Sequence, residues 1–206
     1  ADGRMQSVRI ADDHRRVPVP SGPLTAEAWV RVDQPLNWGG IVGAMQDNGN
    51  DEHGWLLGYC NSKFSLALAG AQGNGRLTYL TADADFATGR WYHVAGTYDG
   101  ATMKLYVDGV LAGSSSVQRG DIRYPPQAFY EMGAYHDRDE YFRLTGRIHE
   151  VRVYRSALTA EQVAAHYAAA ADRFPKPEPA PERQPLQLAA GPWLQFVEPG
   201  VAVVRW

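Results

Sequence analysis

An all-β antiparallel sandwich with one C-terminal helix is the fold the sequence predicts, and three observations carry it. Small or apolar residues alternate with charged ones in Thr25-Ala26-Glu27-Ala28-Trp29-Val30-Arg31-Val32, the period-two pattern of a half-buried strand. Short β segments recur through residue 155, with turn signals at roughly the 8–12-residue spacing of a sandwich. Asp99-Gly100 and Asp108-Gly109 flank Met103-Lys104-Leu105-Tyr106-Val107 and supply the positive-φ positions of tight hairpins. No helical pattern is available between strands to connect parallel neighbours, so pairing is antiparallel.

The elements follow in order. Val8-Arg9-Ile10 and Arg16-Val17-Pro18-Val19 open the series, and residues 25–32 continue it. Next come Gly40-Ile41-Val42-Gly43, Trp55-Leu56-Leu57-Gly58-Tyr59, Phe64-Ser65-Leu66-Ala67-Leu68 and Leu77-Thr78-Tyr79-Leu80. Residues 91–98, 103–107, 110–113, 129–133 and 148–154 complete the strands. Thr159 then caps a helix over 160–173, with Gln162 completing a capping box. Val163, Tyr167 and Ala170 recur at helical spacing in an alanine-rich body of high helix propensity. This helix is expected either to lie across the outside of the sandwich or to lead the chain out of it. Trp29, Trp91, Tyr98, Tyr106 and Tyr154 stand at strand positions where core packing is the expected role.

Composition narrows the function. With 206 residues the prior is about 1.4 domains, one sizeable core and a fragment of another. Lys+Arg is 20 against 23 Asp+Glu, a net charge of −3 that argues against nucleic-acid binding, which needs a basic footprint. Hydrophobic residues at 45% and charged ones at 21% are those of a globular chain, not a disordered one. The uncharged run over 184–197 contains Pro and Gly and falls short of a membrane span. Cys60 is single and permits no internal disulfide. Ala1 stands where an initiator Met would, and a trimmed N-terminus is expected.

From Pro175 the composition changes. Pro175, Pro177, Pro179, Pro181 and Pro185, interleaved with charges, read as a stiff, solvated linker over 175–190. Two β segments in 191–206 come next and end in mid-strand at Trp206, so a parent continuing into another β domain is expected.

Four blocks carry a family resemblance. They are Leu24-Thr25-Ala26-Glu27-Ala28-Trp29-Val30, the stretch 89–100 centred on Trp91-Tyr92-His93-Val94-Ala95-Gly96-Thr97-Tyr98, Lys104-Leu105-Tyr106-Val107-Asp108-Gly109, and 142–162 containing Gly146-Arg147-Ile148-His149-Glu150-Val151-Arg152-Val153-Tyr154. In this order they resemble the laminin-G-like, concanavalin A-like jelly-roll family over residues 1–172. The resemblance implies a jelly-roll sandwich over 1–174. The tail, Gly191-Pro192-Trp193-Leu194-Gln195 with Val203-Val204-Arg205-Trp206, resembles the opening of the fibronectin-like domain that precedes purple-acid-phosphatase-type metallophosphoesterases. That implies an extracytoplasmic hydrolase carrying the sandwich as an accessory module.

Catalysis within the segment finds little support. Asp12-Asp13-His14 has the Asp-x-His spacing of a metallophosphoesterase metal site, but the Gly-Asn-His such a site also needs is missing, and a polar turn is expected there. Laminarinase-type relatives need paired carboxylates on one strand, and no Glu-x-Asp-x-x-Glu string occurs. The family resemblance allows one Ca²⁺, with Asp2 and Glu150 as contributors. His149 stands where many relatives place an Asp, which weakens that site.

The stronger candidates are two polar segments read as loops. Residues 46–53 are acidic and Gly/Asn-rich, and 135–141 combine aromatics with alternating charge. A sugar stacks on aromatic faces while carboxylates take its hydroxyls, so Asp47, Asp51, Tyr135, His136, Asp137, Asp139 and Tyr141 are expected to bind ligand, with Trp38 and Trp55 bordering them. The leading expectation is a non-catalytic module that recognises glycan or an extracellular protein. The alternative is a structural module that docks on and positions downstream domains of the same chain. One site requires the two segments to share a rim.

Overall fold

The computed structural model describes residues 7–49, 51–174, 193–198 and 201–205. The strands are Val8–Ala11 (β1), Leu24–Gln34 (β2), Trp38–Asn48 (β3), Asp51–Cys60 (β4), Lys63–Leu68 (β5), Thr78–Thr81 (β6) and Trp91–Tyr98 (β7). Met103–Val107 (β8), Val110–Ser115 (β9), Tyr130–Met132 (β10), Ala134–His136 (β11), Tyr141–Arg143 (β12) and Thr145–Tyr154 (β13) come next, then helix α1, Ala160–Ala168. Six strands pair in the order β1-β10-β3-β4-β5-β6 and five in the order β13-β2-β7-β8-β9. Every pairing in these sheets is antiparallel, and the result is a jelly-roll sandwich.

The core lies between the sheets. Leu24, Ala26, Ala28, Val30 and Val32 project inward from β2, and pack in one cluster with Ile41, Trp55, Leu57, Leu66 and Leu68 from the six-stranded sheet. Burial of each such Leu, Val or Ile stabilises by about 1.5–3 kcal/mol.

The other face of β2 is covered too, which alternation could not reveal. Trp29 is 4% exposed, yet it points away from the core and stacks on Phe174 at 4.4 Å and Tyr167 at 5.8 Å. Val163 of α1 is buried against Ala95 and Tyr106. The helix thus lies across the outside of the five-stranded sheet. Its capping box forms as expected, and a 3-10 turn at Ala171–Arg173 delivers Phe174 onto Trp29 and Trp91. Tyr98 and Tyr106 are buried, whereas Trp91 and Tyr154 are only half-buried at this outer surface.

The turn chemistry differs between the two Asp-Gly pairs. Asp108 and Gly109 have φ of 52° and 77°, both positive as a two-residue type I′ turn requires. Asp99 instead accepts the amides of Ala101 at 2.9 Å and Thr102 at 2.7 Å, making a wider connection in which only Gly100 is at positive φ.

Arg16-Val17-Pro18-Val19 is not a strand. Asp13 caps a 3-10 helix at His14–Arg16, accepting the Arg15 amide at 3.0 Å, and Pro18 has no amide for a ladder. Arg15 holds the Asp13 carboxyl well below the usual carboxylate range. Asp12-Asp13-His14 is accordingly a turn, with the His14 ring stacked on Tyr124 at 4.8 Å.

The chain divides into two compact units, Ala1–Lys176 and Pro177–Trp206. In the second, Trp193–Glu198 (β14) pairs with Val201–Arg205 (β15) as an antiparallel hairpin. The expected linker, 175–190, lies outside the described residues. A chain ending at Phe174 is expected to melt within a few degrees of the full chain. One ending at Ala170 should melt distinctly lower, because Trp29 and Trp91 both lose the Phe174 ring. Equal midpoints for the two shortened chains in a thermal melt would remove Phe174 from the stabilising set.

Candidate functional site

The two polar segments are not loops but the ends of hairpins. Asn48 pairs with Asp51 across a turn containing Gly49 at φ 59°, so residues 46–53 extend β3 and β4. Tyr135 pairs with Phe142 and His136 with Tyr141 in a separate two-stranded hairpin, β11–β12. Polar composition suggested loops because cross-strand partners only 3 to 9 residues apart leave little apolar signal.

The β11–β12 hairpin lies on the outer face of the six-stranded sheet, and glycine makes this approach feasible. A Cβ placed at Gly40 would sit 1.9 Å from the Ala134 carbonyl oxygen. Tyr135 is 2% exposed and packs with Met45, Leu56, Ala67 and Leu77 in a small apolar cluster, with Trp38, Tyr79 and Phe142 at its border. Asp47 Oδ2 accepts the Tyr79 hydroxyl at 2.5 Å and the Tyr135 hydroxyl at 3.0 Å. Burial, with the Asp47 carboxylate beside them, pushes both phenols far above their usual range.

The two segments share a rim, as one site demands. The Arg138 amide donates to Gln46 Oε1 at 3.0 Å, Asn48 donates to Asp139, and Arg138 reaches Asp51 at 3.7 Å. Asp137 Oδ1 accepts the amides of Asp139 at 3.1 Å and Glu140 at 2.7 Å, closing the turn. Burial pushes the Asp137 and Glu140 carboxyls up, and the neighbouring acids push in the same direction.

Beside this turn stands a column of five stacked side chains. The Arg9 guanidinium lies 4.3 Å from the Phe129 centroid, Phe129 stacks on His136 at 4.2 Å, and His136 on Tyr141 at 4.1 Å. Arg143 closes the far end 4.7 Å over Tyr141. Glu131, 2% exposed, ties the column together: His136 Nδ1 is 2.7 Å from Oε2 and the Tyr141 hydroxyl donates to Oε1 at 3.0 Å. Burial alone would raise the Glu131 carboxyl, but the hydrogen bonds from His136, Ser7 and Tyr141 outweigh it and hold it low.

Two clefts flank the hairpin. One, about 330 Å³, is lined by Gln46, Asp51, Arg138 and residues 126–129. The other, about 460 Å³, is lined by Gln34, Leu36, Tyr141, Phe142, Arg143 and Thr145. Asp51 and Tyr141 are therefore at cleft walls, and Asp139 is exposed on the turn.

Several expected ligand contacts are corrected. Trp55 is fully buried and donates its indole N–H to the Tyr124 hydroxyl at 2.8 Å, so it is a core residue. Tyr135 and Asp137, at 2% and 1% exposure, support the hairpin from beneath. Trp38 and Asp47 remain half-buried, Trp38 packed on Tyr79 at 5.0 Å and Asp47 accepting from two phenols, and neither expectation is overturned. Both faces of the His136 and Tyr141 rings are occupied within the column, leaving no open stacking platform there. Gln34, Leu36, Gln127 and Arg143 are wall residues that sequence reasoning missed, since isolated side chains carry no spacing signal.

Of the two expected calcium ligands, Glu150 is described and is engaged by an arginine. Arg152 meets Glu150 at 2.8 Å, and a bulge between Ile148 and Glu150 turns His149 toward Phe174, 5.0 Å between ring centroids. Among the described residues no three His, Cys, Asp or Glu side chains converge to hold a metal, and Asp2 lies outside the described residues.

Two antiparallel sheets, a helix across one and a hairpin on the other define a laminin-G-like, concanavalin A-like sandwich. The chain belongs to the concanavalin A-like lectin/glucanases superfamily, whose sequence profile matches residues 2–164. Pappalysin-1 of Mus musculus is 26% identical over 136 residues, covering 60% of this chain and 8% of that protein. The chain thus spans 8% of the length of the curated relatives it matches. Among solved structures, the sialidase CBM40 of Ruminococcus gnavus bound to α2,3-sialyllactose superposes with a TM-score of 0.60 at 14% identity, covering 79% of this chain and 96% of that one. Domain 4 of an extracellular arabinanase from Geobacillus stearothermophilus, in complex with arabinotriose, gives 0.54 at 24% identity, covering 71% and 67%. These likenesses are of fold. Among the described residues no helix is long and apolar enough to cross a membrane.

Proposed function

We propose that residues 1–174 are a non-catalytic recognition module that binds glycan at the rim of the β11–β12 hairpin. The observation carrying this reading is the pair of clefts beside one rigidly buttressed hairpin. A saccharide needs apolar area for its C–H faces and placed polar groups for its hydroxyls. Leu36 and Phe142 offer the first, and Gln34, Gln46, Gln127 and Asp51 the second. Fold neighbours whose bound ligands are oligosaccharides support the same reading.

The tail's resemblance supports a longer extracytoplasmic parent in which the module precedes a metallophosphoesterase. A second compact unit beginning at Pro177 favours the alternative, a module that positions the domains downstream of it. A glycan array probed with the 206-residue chain decides between them. Binding is expected, with loss on Leu36→Asp and an unchanged thermal midpoint, since Leu36 is 42% exposed at the cleft wall. If no saccharide binds, or none raises the midpoint as a native-state ligand must, the positioning role takes its place.

A further inference from the structure

Four surface clefts among the described residues carry one arginine each, and their charge environments differ. Arg152 meets Glu27 at 3.2 Å and Glu150 at 2.8 Å, Arg138 meets Asp51 at 3.7 Å, and Arg90 pairs with Asp108. Among the described residues Arg143 has no carboxylate partner, and none of those lining its cleft of about 460 Å³ is an acid. We propose that this cleft takes the anionic group of an acidic saccharide, a carboxylate or a sulfate, with Arg143 as its counter-ion. The proposal rests on the glycan reading and adds the class of sugar.

Three further features support it. The guanidinium is held in place by a ring contact, 4.7 Å over Tyr141, and not by a carboxylate, so its donors stay available to a ligand. Tyr141 in turn is fixed, backed by His136 at 4.1 Å and anchored through its hydroxyl to Glu131 at 3.0 Å. Glu131, the acid of the column, is already engaged by His136 at 2.7 Å and Arg9 at 3.5 Å, so its oxygens are committed away from Arg143. Planar guanidinium binds carboxylate or sulfate oxygens through two parallel N–H donors, and such charged bonds are about twice as strong as neutral ones. Gln34 and the exposed Leu36 complete the wall with an amide for a hydroxyl and apolar surface for the ring.

The test measures binding of the full chain to four probes at low and high salt: a uronate oligosaccharide, its neutral methyl ester, a sulfated oligosaccharide and its desulfated counterpart. At least one acidic probe is expected to bind about tenfold tighter than its neutral partner, with an advantage that shrinks in salt. Which acidic probe shows it distinguishes carboxylate from sulfate. Arg143→Gln should bring that probe down to the affinity of the neutral partner, and Arg143→Lys should keep part of the preference, both with unchanged melting. Equal binding of acidic and neutral probes, or a preference that survives Arg143→Gln, overturns the proposal and leaves the glycan reading standing. Failure of all four probes, together with a blank array, would sink the glycan reading itself.

Discussion

Replacing Gly40 by alanine is expected to lift the β11–β12 hairpin off the six-stranded sheet while the sandwich beneath stays folded. The added Cβ would lie 1.9 Å from the Ala134 carbonyl oxygen and 2.5 Å from the Tyr135 amide nitrogen. Both are backbone atoms, so no rotamer change relieves the clash, and overpacking of this kind costs about 3 kcal/mol. That cost falls on a hairpin attached through Tyr135, Phe142 and a few polar bonds, so local detachment is the cheaper response. Hydrogen exchange should show amides of residues 134–143 losing protection while those of β4 and β7 keep theirs, and glycan binding should disappear. Unchanged protection across 134–143 would mean that the sheet absorbs the methyl group and that Gly40 is not what seats the hairpin.

The second large effect is on acid stability. Glu27 is 2% exposed on the outer face of β2, beneath α1. Burial alone would raise its carboxyl, but His93 Nε2 at 3.6 Å and His166 Nδ1 at 3.0 Å outweigh it and hold the group at about 2. An unfolded glutamate titrates near 4.5, so the folded state binds fewer protons between these values. The stabilisation is therefore complete above 4.5 and is lost as pH falls toward 2, a change of about 3 kcal/mol. Thermal melts from pH 6 to pH 2 should fall steeply for the natural chain. Glu27→Gln should start lower at pH 6 and fall less. Parallel acid limbs for the two proteins would show that Glu27 is not the group responsible.

How far the sequence could be read depends on the quantity each signal measures. Residues 91–98 and 103–107 have the bounds expected for them, because Gly and Asp-Gly punctuation fixes strand ends. Thr159 and Gln162 form their reciprocal bonds because a capping box is local chemistry. Alternation in β2 identified which residues share a face, but could not show that Trp29 and Glu27 would be roofed by a helix more than a hundred residues later. The candidate site was legible in part. Composition placed 46–53 and 135–141 together, and Arg138 bonding to Gln46 bears out the shared rim. It failed for Trp55 and Tyr135, because composition does not tell a buried aromatic from an exposed one, and it passed over Arg143, whose significance lies in a cleft with no acid among its described lining residues.

The pairing of β13 with β2 has a consequence for synthesis on the ribosome. Tyr154 lies opposite Thr25 and Thr145 opposite Gln34, so one of the earliest long strands waits for the last strand of the domain. Until residue 154 has left the exit tunnel, β2 can pair with β7 but keeps its other margin of amides and carbonyls unpaired. A nascent chain in this state carries a long, largely apolar sticky edge, the kind that recruits neighbouring chains. Ribosome pausing before residue 145, or a premature stop there, leaves a polypeptide whose β2 margin is open as a template for aggregation.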